Sequence, residues 1–125
     1  LTGLYENKHD YTFIKPPLKT EFITNSYPYL LKKAGYKTGF VGKLGVKIEG
    51  QDTIINELFD YYKPSKINAP HFVTLSDGSK RHSAEVAGDQ AIEFIKNQSL
   101  DDSFCLSISF KLPSARLTNI IQRSL

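Results

Sequence analysis

The sequence contains no methionine, no tryptophan and a single cysteine, Cys105, among its 125 residues. One thiol excludes an internal disulfide and any zinc site built from several thiolates. Because Cys105 lies in an apolar segment, we expect a buried, unreactive thiol. No apolar run approaches the ~20 residues of a membrane-spanning helix, and no signal-peptide pattern opens the chain. These absences predict a protein without a membrane partner.

Charge of one sign is not concentrated anywhere in the chain. The 16 Lys and Arg residues leave a net charge of only +3. The densest basic group, residues 80–82, is too short for a nucleic-acid-binding stripe, so we expect no nucleic-acid partner. A hydrophobic fraction of 40% is ordinary for a folded core, and a chain of this length makes one domain or part of one.

What the sequence does contain is an alternation of helical and extended patterns. Apolar spacing predicts helices over residues 27–34 and 83–97 and strands over residues 37–41 and 104–110. If the second helix is the crossover between the two strands, the strands are parallel and their carboxyl ends meet at one edge of the sheet. The pattern therefore predicts an α/β fold.

The segment between these elements is less regular. Residues 54–59 allow one short helix, which residues 60–64 are expected to end. Residues 72–75, followed by Asp77 and Gly78, predict a small hairpin. The buried face of the 83–97 helix is expected to carry a stripe of apolar residues: Ala84, Ala87, Ala91, Phe94 and Ile95.

The stretch from Gly35 to Lys43 holds the main candidate for chemistry. Gly35 stands where a left-handed residue would end the first helix, and the next strand ends on Gly42 and Lys43. In an open parallel sheet, ligands bind beyond the carboxyl ends of the strands, so a lysine flanked by glycines there is placed to meet an anion. The spacing of Gly39, Gly42 and Gly45 is not a nucleotide-binding fingerprint. A tight turn with a solvated lysine is the alternative, and spacing alone does not decide.

Three segments resemble the sulfatase family of the alkaline-phosphatase superfamily. Residues 35–43 are similar to the family signature Gly-Tyr-x-Thr-x-x-x-Gly-Lys. Residues 1–5, with His9 after them, resemble the segment that follows the family's Cys/Ser-x-Pro-Ser-Arg nucleophile motif. Residues 89–95 and 104–110 are similar to the helix and strand that lead to the family's Ala-Pro-His turn. Together these segments cover most of the chain in the expected order.

The resemblance implies an α/β fold that forms part of an alkaline-phosphatase-like sandwich, with a mainly parallel sheet and flanking helices. It implies hydrolysis of sulfate monoesters by a formylglycine hydrate, with calcium or another divalent cation holding the nucleophile and a sulfate oxygen. The signature lysine maps onto Lys43, whose implied catalytic role is contact with the sulfate and the nucleophile. Lys47 is a second candidate, which would add positive field for substrate binding. The implied substrate is a sulfated small molecule or glycan.

Departures from the family pattern predict an internal fragment of a longer hydrolase. The nucleophile motif would precede the first residue, and the metal-binding aspartates would lie upstream and beyond residue 125. Asp101 and Asp102 precede a strand and are expected to form a turn, so we expect no metal ligand in this chain. Gly45 stands where the family usually has a histidine. Residues 1–125 are thus expected to be one partial domain, inactive alone, with a divergent tail over 113–125.

Two other functions stay open: a non-catalytic domain that binds sulfated or phosphorylated polyanions, and a phosphate or phosphonate ester hydrolase of the same superfamily. The resemblance makes a periplasmic or secreted compartment the expectation. A partial sheet has open edges, which predict self-association. His9, His71 and His82 lack metal-ligand spacing and are expected at the surface or in turns.

Overall fold

A computed structural model describes residues 1–12, 17–66 and 70–110 of the chain. Its elements in chain order are α1 (Glu6–His9), a 3-10 helix (Thr20–Asn25), α2 (Tyr27–Lys33), β1 (Lys37–Gly42), α3 (Gln51–Leu58), β2 (Tyr61–Pro64), β3 (Phe72–Thr74), β4 (Lys80–His82), α4 (Ser83–Lys96) and β5 (Phe104–Ser109). Within these ranges, no helix has both the length and the apolar character needed to cross a membrane.

The central sheet has three parallel strands in the order β2-β1-β5. Gly39 in the middle strand pairs with Tyr61 on one side and with Leu106 on the other. Strands β3 and β4 form a separate antiparallel hairpin, as predicted. The expected α/β architecture and the parallel pairing of β1 with β5 are therefore confirmed, and all three strands of the sheet end at the same edge.

The end of α2 shows why glycine opens the signature. Gly35 has a φ of +89°. Its amide donates to the carbonyl of Lys32, and the amide of Tyr36 donates to the carbonyl of Leu31, both at 3.0 Å. This pair of bonds is the Schellman motif, so the predicted left-handed cap is confirmed. At the other end of α2, Ser26 occupies the N-cap position, but its buried hydroxyl has no hydrogen-bond partner among the described residues.

Helices cover both faces of the sheet. Phe40 is only 7% exposed and packs in a core cluster with Ile54 and Leu58 of α3. Gly39, the preceding residue of the strand, faces the opposite side. A Cβ atom at Gly39 would lie 3.0 Å from the ring of Phe94 in α4, so this helix packs very closely on the second face. The chain thus builds a helix–sheet–helix sandwich around β1.

Three local predictions need correction. Residues 61–64 form strand β2, where the sequence predicted only the end of a helix, because four residues carry no readable alternation and become a strand by pairing with β1. On α4, Ile95 is 47% exposed, whereas Ala87, Ala91 and Phe94 are buried as predicted. Cys105 is half-buried and not fully buried, because among the described residues β5 pairs with β1 alone and forms the edge of the sheet.

The outer side of β5 leaves apolar surface exposed. Phe104 and Ile108 of the strand and Ile92 and Ile95 of the covering helix are all exposed. Both edges of the three-stranded sheet, β2 and β5, are open within the described ranges. The 113–125 tail expected from the sequence lies outside the described residues.

Candidate active site

The carboxyl ends of the three parallel strands converge at Gly42. The carbonyl of Gly42 accepts a hydrogen bond from the amide of Ser65, just after β2, at 2.8 Å. The next amide, that of Lys43, donates to the carbonyl of Ser109 at the end of β5, at 3.1 Å. Gly42 has a φ of +104°, and a Cβ atom there would lie 2.0 Å from the same Ser109 oxygen. Only glycine fits at this close contact between the ends of β1 and β5.

Lys43 is therefore fixed at the strand-end edge, where the sequence placed it. Its backbone is bonded to β5, and its side chain is half-buried. Among the described residues, no carboxylate lies within 4 Å of its ammonium group. A half-buried cation with no carboxylate nearby in the described ranges favours an anionic ligand. The role of Lys43 toward sulfate stays a prediction.

Lys47 belongs to a different part of the molecule. Its carbonyl accepts a hydrogen bond from the amide of Leu18 at 2.8 Å, and its amide donates to the hydroxyl of Tyr11 at 3.4 Å. The next residue, Ile48, forms a parallel bridge with Leu18. The backbone of Lys47 thus joins two loops while its side chain is exposed to solvent. Its role in substrate binding stays a prediction.

Thr38 of the signature ties β1 to the chain that enters β2. Its side chain is almost completely buried, its hydroxyl donates to the carbonyl of Leu58 at 2.8 Å, and its amide donates to Oδ2 of Asp60 at 2.9 Å. Oδ1 of Asp60 lies 2.8 Å from Nζ of Lys32. Burial would raise the pKa of Asp60, but the hydrogen bonds from Lys32 and Thr38 and the charge of Lys32 hold that pKa below its ordinary value. This carboxylate, which the sequence did not single out, is a structural one.

A cavity of about 540 Å³ opens beside the strand ends. It is lined by Gly42 and Pro64 at the ends of β1 and β2, by strand β3, and by the first two turns of α4. Lys63 and Lys66 also line it. No sequence pattern indicates either lysine, because the cavity forms between three segments that only the fold brings together.

His71, His82 and Asp102 make contacts that support the local structure. His71 and His82 stack with 6.1 Å between ring centroids, and Nδ1 of His82 accepts the amide hydrogen of Ala84 at the start of α4, at 3.2 Å. Asp102 accepts a hydrogen bond from the amide of Ser99 at 2.9 Å, which confirms the expected turn. In the part of the chain that the structure describes, no three His, Cys, Asp or Glu side chains group so as to hold a metal ion. These residues therefore do not fit a calcium site.

A model of the family named Sulfatase matches residues 1–113. The chain belongs to the sulfatase family. The structure gives three residues of the sulfatase signature a backbone or packing role: Gly35 ends α2, Thr38 joins β1 to the end of α3, and Gly42 permits the close approach of Ser109 in β5. Lys43 differs from them, because within the described ranges its side chain makes no hydrogen bond or ion pair.

Two known proteins are similar to this sulfatase chain. One is N-acetylglucosamine-6-O-sulfatase of Bacteroides thetaiotaomicron, 28% identical over 121 residues, which cover 90% of this chain and 20% of that protein. The other is the solved structure of BT4656 in complex with its substrate D-glucosamine-2-N,6-O-disulfate, with a TM-score of 0.53 and 20% identity over 86% of this chain and 22% of that one. The chain thus spans about a fifth of the length of each. The likeness of fold supports the expected alkaline-phosphatase-like arrangement.

Proposed function

We propose that this chain is the part of a sulfate monoester hydrolase that supplies the lysine for the sulfate group. The position of Lys43 carries the proposal: a half-buried ammonium group stands where three strand ends converge, in a chain of the sulfatase family. Ligands of open parallel sheets bind at such an edge. The two hydrogen bonds that join Gly42 and Lys43 to the neighbouring strands give this group a rigid base.

In the proposed reaction, Lys43 contacts a sulfate oxygen and the nucleophile. The sulfate oxygens carry negative charge in the transition state, and a cation already in place stabilises that charge without reorganising. Lys47 is proposed to add a weaker, longer-range field. Because its side chain is exposed, dissolved salt screens that contribution strongly.

The nucleophile and the divalent cation, calcium in the family pattern, are proposed to come from residues outside these 125. The described residues do not fit a cation site. Cys105 is an unsuitable nucleophile, because it lies within β5 and no Pro-Ser-Arg sequence follows it. We therefore expect the 125 residues alone to leave aryl sulfates uncleaved, with or without calcium.

The proposed substrate is a sulfated sugar, and the proposed compartment is periplasmic or extracellular. Support for the substrate comes from the two similar proteins, one named as an N-acetylglucosamine-6-O-sulfatase and the other solved with a disulfated glucosamine. The open, apolar edge at β5 supports a proposed self-association of the isolated chain.

The test uses a protein that contains these residues together with the nucleophile motif. We expect Lys43→Ala to lower kcat/KM for a sulfate ester by about 30- to 1,000-fold, the cost of one charge-stabilising donor. Lys47→Gln is expected to cost less than about threefold, and Lys96→Gln, an exposed residue at the far end of α4, serves as the control. A Lys43→Ala enzyme within threefold of wild type would contradict the proposal. Faster hydrolysis of a phosphate ester than of the matching sulfate ester would favour the phosphoesterase alternative.

A further inference from the structure

Two lysines line the cavity beside the strand ends. Lys63 and Lys66 both line it and are both exposed. Among the described residues, neither has a carboxylate within 4 Å. Nζ of Lys63 lies 5.4 Å from the centroid of the Tyr61 ring, a cation–π contact that favours this position of the ammonium group. Two such groups at one cavity attract an anion.

The remaining lining suits a sugar ring. Phe72 is 58% exposed and presents an aromatic surface, and Val86 adds an aliphatic one. Thr74 and Gln90 contribute polar side chains to the same cavity. Apolar walls with a few polar groups are typical of small-molecule sites, and a volume of about 540 Å³ is within the range of such sites. The cavity has room for much more than a sulfate group.

We propose that this cavity binds the body of the substrate and that Lys63 and Lys66 bind a second acidic group on it. Gly42, which lines the cavity, directly precedes Lys43 in the chain, so the cavity and the proposed sulfate position are neighbours at the strand-end edge. This inference rests on the proposed function, since it takes Lys43 as the partner of the sulfate that is cleaved. The substrate class is then a sugar that carries a sulfate ester and, at another position, a second sulfate or a carboxylate.

The experiment compares two probes on the 125-residue chain by calorimetry: N-acetylglucosamine 6-sulfate, which is uncharged at its 2-nitrogen, and glucosamine 2-N,6-O-disulfate. We expect the disulfate to bind about tenfold more tightly, the gain of two partly exposed ion pairs. Lys63→Gln/Lys66→Gln should reduce that ratio to about one. The matched control, Lys33→Gln/Lys96→Gln, removes the same charge from exposed helix ends and should keep the ratio. Added salt should lower the ratio for the wild-type chain and for this control, but not for Lys63→Gln/Lys66→Gln.

Separate outcomes distinguish this inference from the proposed function. Equal affinity of the wild-type chain for both probes, or an unchanged ratio in Lys63→Gln/Lys66→Gln, would overturn the second-anion site. Lys43→Gln should weaken both probes alike and keep their ratio. If it leaves both affinities unchanged while the ratio still depends on Lys63 and Lys66, the role of Lys43 is refuted and the second-anion site is retained. Phe72→Leu should weaken both sugar probes and leave the binding of inorganic sulfate unchanged.

Discussion

Four glycines in and around β1 allow a quantitative test of how the signature positions Lys43. Gly42 combines a φ of +104° with a Cβ position 2.0 Å from the carbonyl oxygen of Ser109. Gly35 has a positive φ of +89° but open space around it, and Gly39 has ordinary φ but a Cβ position 2.9 Å from Leu106 Cδ1. Gly45 has neither constraint. Alanine at each position therefore separates backbone strain from steric overlap.

The expected costs follow from these contacts. Gly35→Ala should lose about 1–2 kcal/mol of unfolding free energy through the left-handed backbone. Gly39→Ala should lose about 1–3 kcal/mol, because the new methyl group meets both the end of the Leu106 side chain and the buried ring of Phe94. Gly42→Ala should lose about 3–5 kcal/mol, because strain adds to an overlap with the backbone that breaks the bond between the Lys43 amide and Ser109. Gly45→Ala should stay within about 0.5 kcal/mol.

Urea unfolding followed by circular dichroism measures these values, since the chain contains no tryptophan. A Gly42→Ala chain too unstable to fold agrees with the expectation, provided that Gly45→Ala folds normally. Hydrogen exchange gives a second readout, in which the amide of Lys43 should lose protection in Gly42→Ala more than in Gly39→Ala. Equal stability of the Gly42→Ala and Gly45→Ala chains would refute the argument that the close contact between β1 and β5 requires glycine at position 42.

Four further measurements test other contacts. Thr38→Val should cost about 1–2 kcal/mol, because the buried carbonyl that its hydroxyl satisfies loses its partner. Folding lowers the pKa of Asp60, so the contribution of Asp60 to stability is present above pH ~4 and is lost as the pH falls further. In urea unfolding, Asp60→Asn should therefore depend less on acid pH than the wild-type chain. Burial and the hydrogen bond to Glu93 raise the pKa of Tyr61 to about 12. The contribution of Tyr61 to the unfolding free energy is therefore present below pH ~10 and should be lost between pH 10 and 12, a loss that should be smaller in Tyr61→Phe. The same decrease of unfolding free energy with pH in Tyr61→Phe and wild type would contradict this. Sedimentation should show that Ile108→Lys reduces self-association of the chain, because it places a charge on the exposed β5 edge.

Local signals were sufficient for the elements that surround the candidate lysine. The left-handed cap at Gly35, the hairpin turn at Gly78 and the long helix α4 each depend on residues close together in the chain. The parallel pairing of β1 and β5 followed from one long crossover pattern. Short-range patterns of this kind are enough to place Lys43 at the end of β1.

What the sequence did not show depends on distant contacts. Strand β2 exists because its four residues pair with β1, and Asp60 is held by a lysine and a threonine from two earlier elements. The exposure of Ile95 depends on which neighbours cover the outer face of α4. Lys63 and Lys66 acquire a shared cavity only when β2, the hairpin and α4 come together. No periodicity or motif carries such information.

The central place of β1 has a consequence for how the chain assembles. On one side β1 pairs with β2, which follows it in the chain after one short helix, as in the pairing of Gly39 with Tyr61. On the other side it pairs with β5, which follows only after the hairpin and α4, as in the pairing of Lys37 with Phe104. Closing the shorter loop costs less chain entropy, so the β1–β2 unit should form early and act as a template for β5. The hydrogen bond from Lys43 to Ser109 would then be among the last to form, and the strand-end edge that carries Lys43 would be completed only when the slowest long-range pairing is in place.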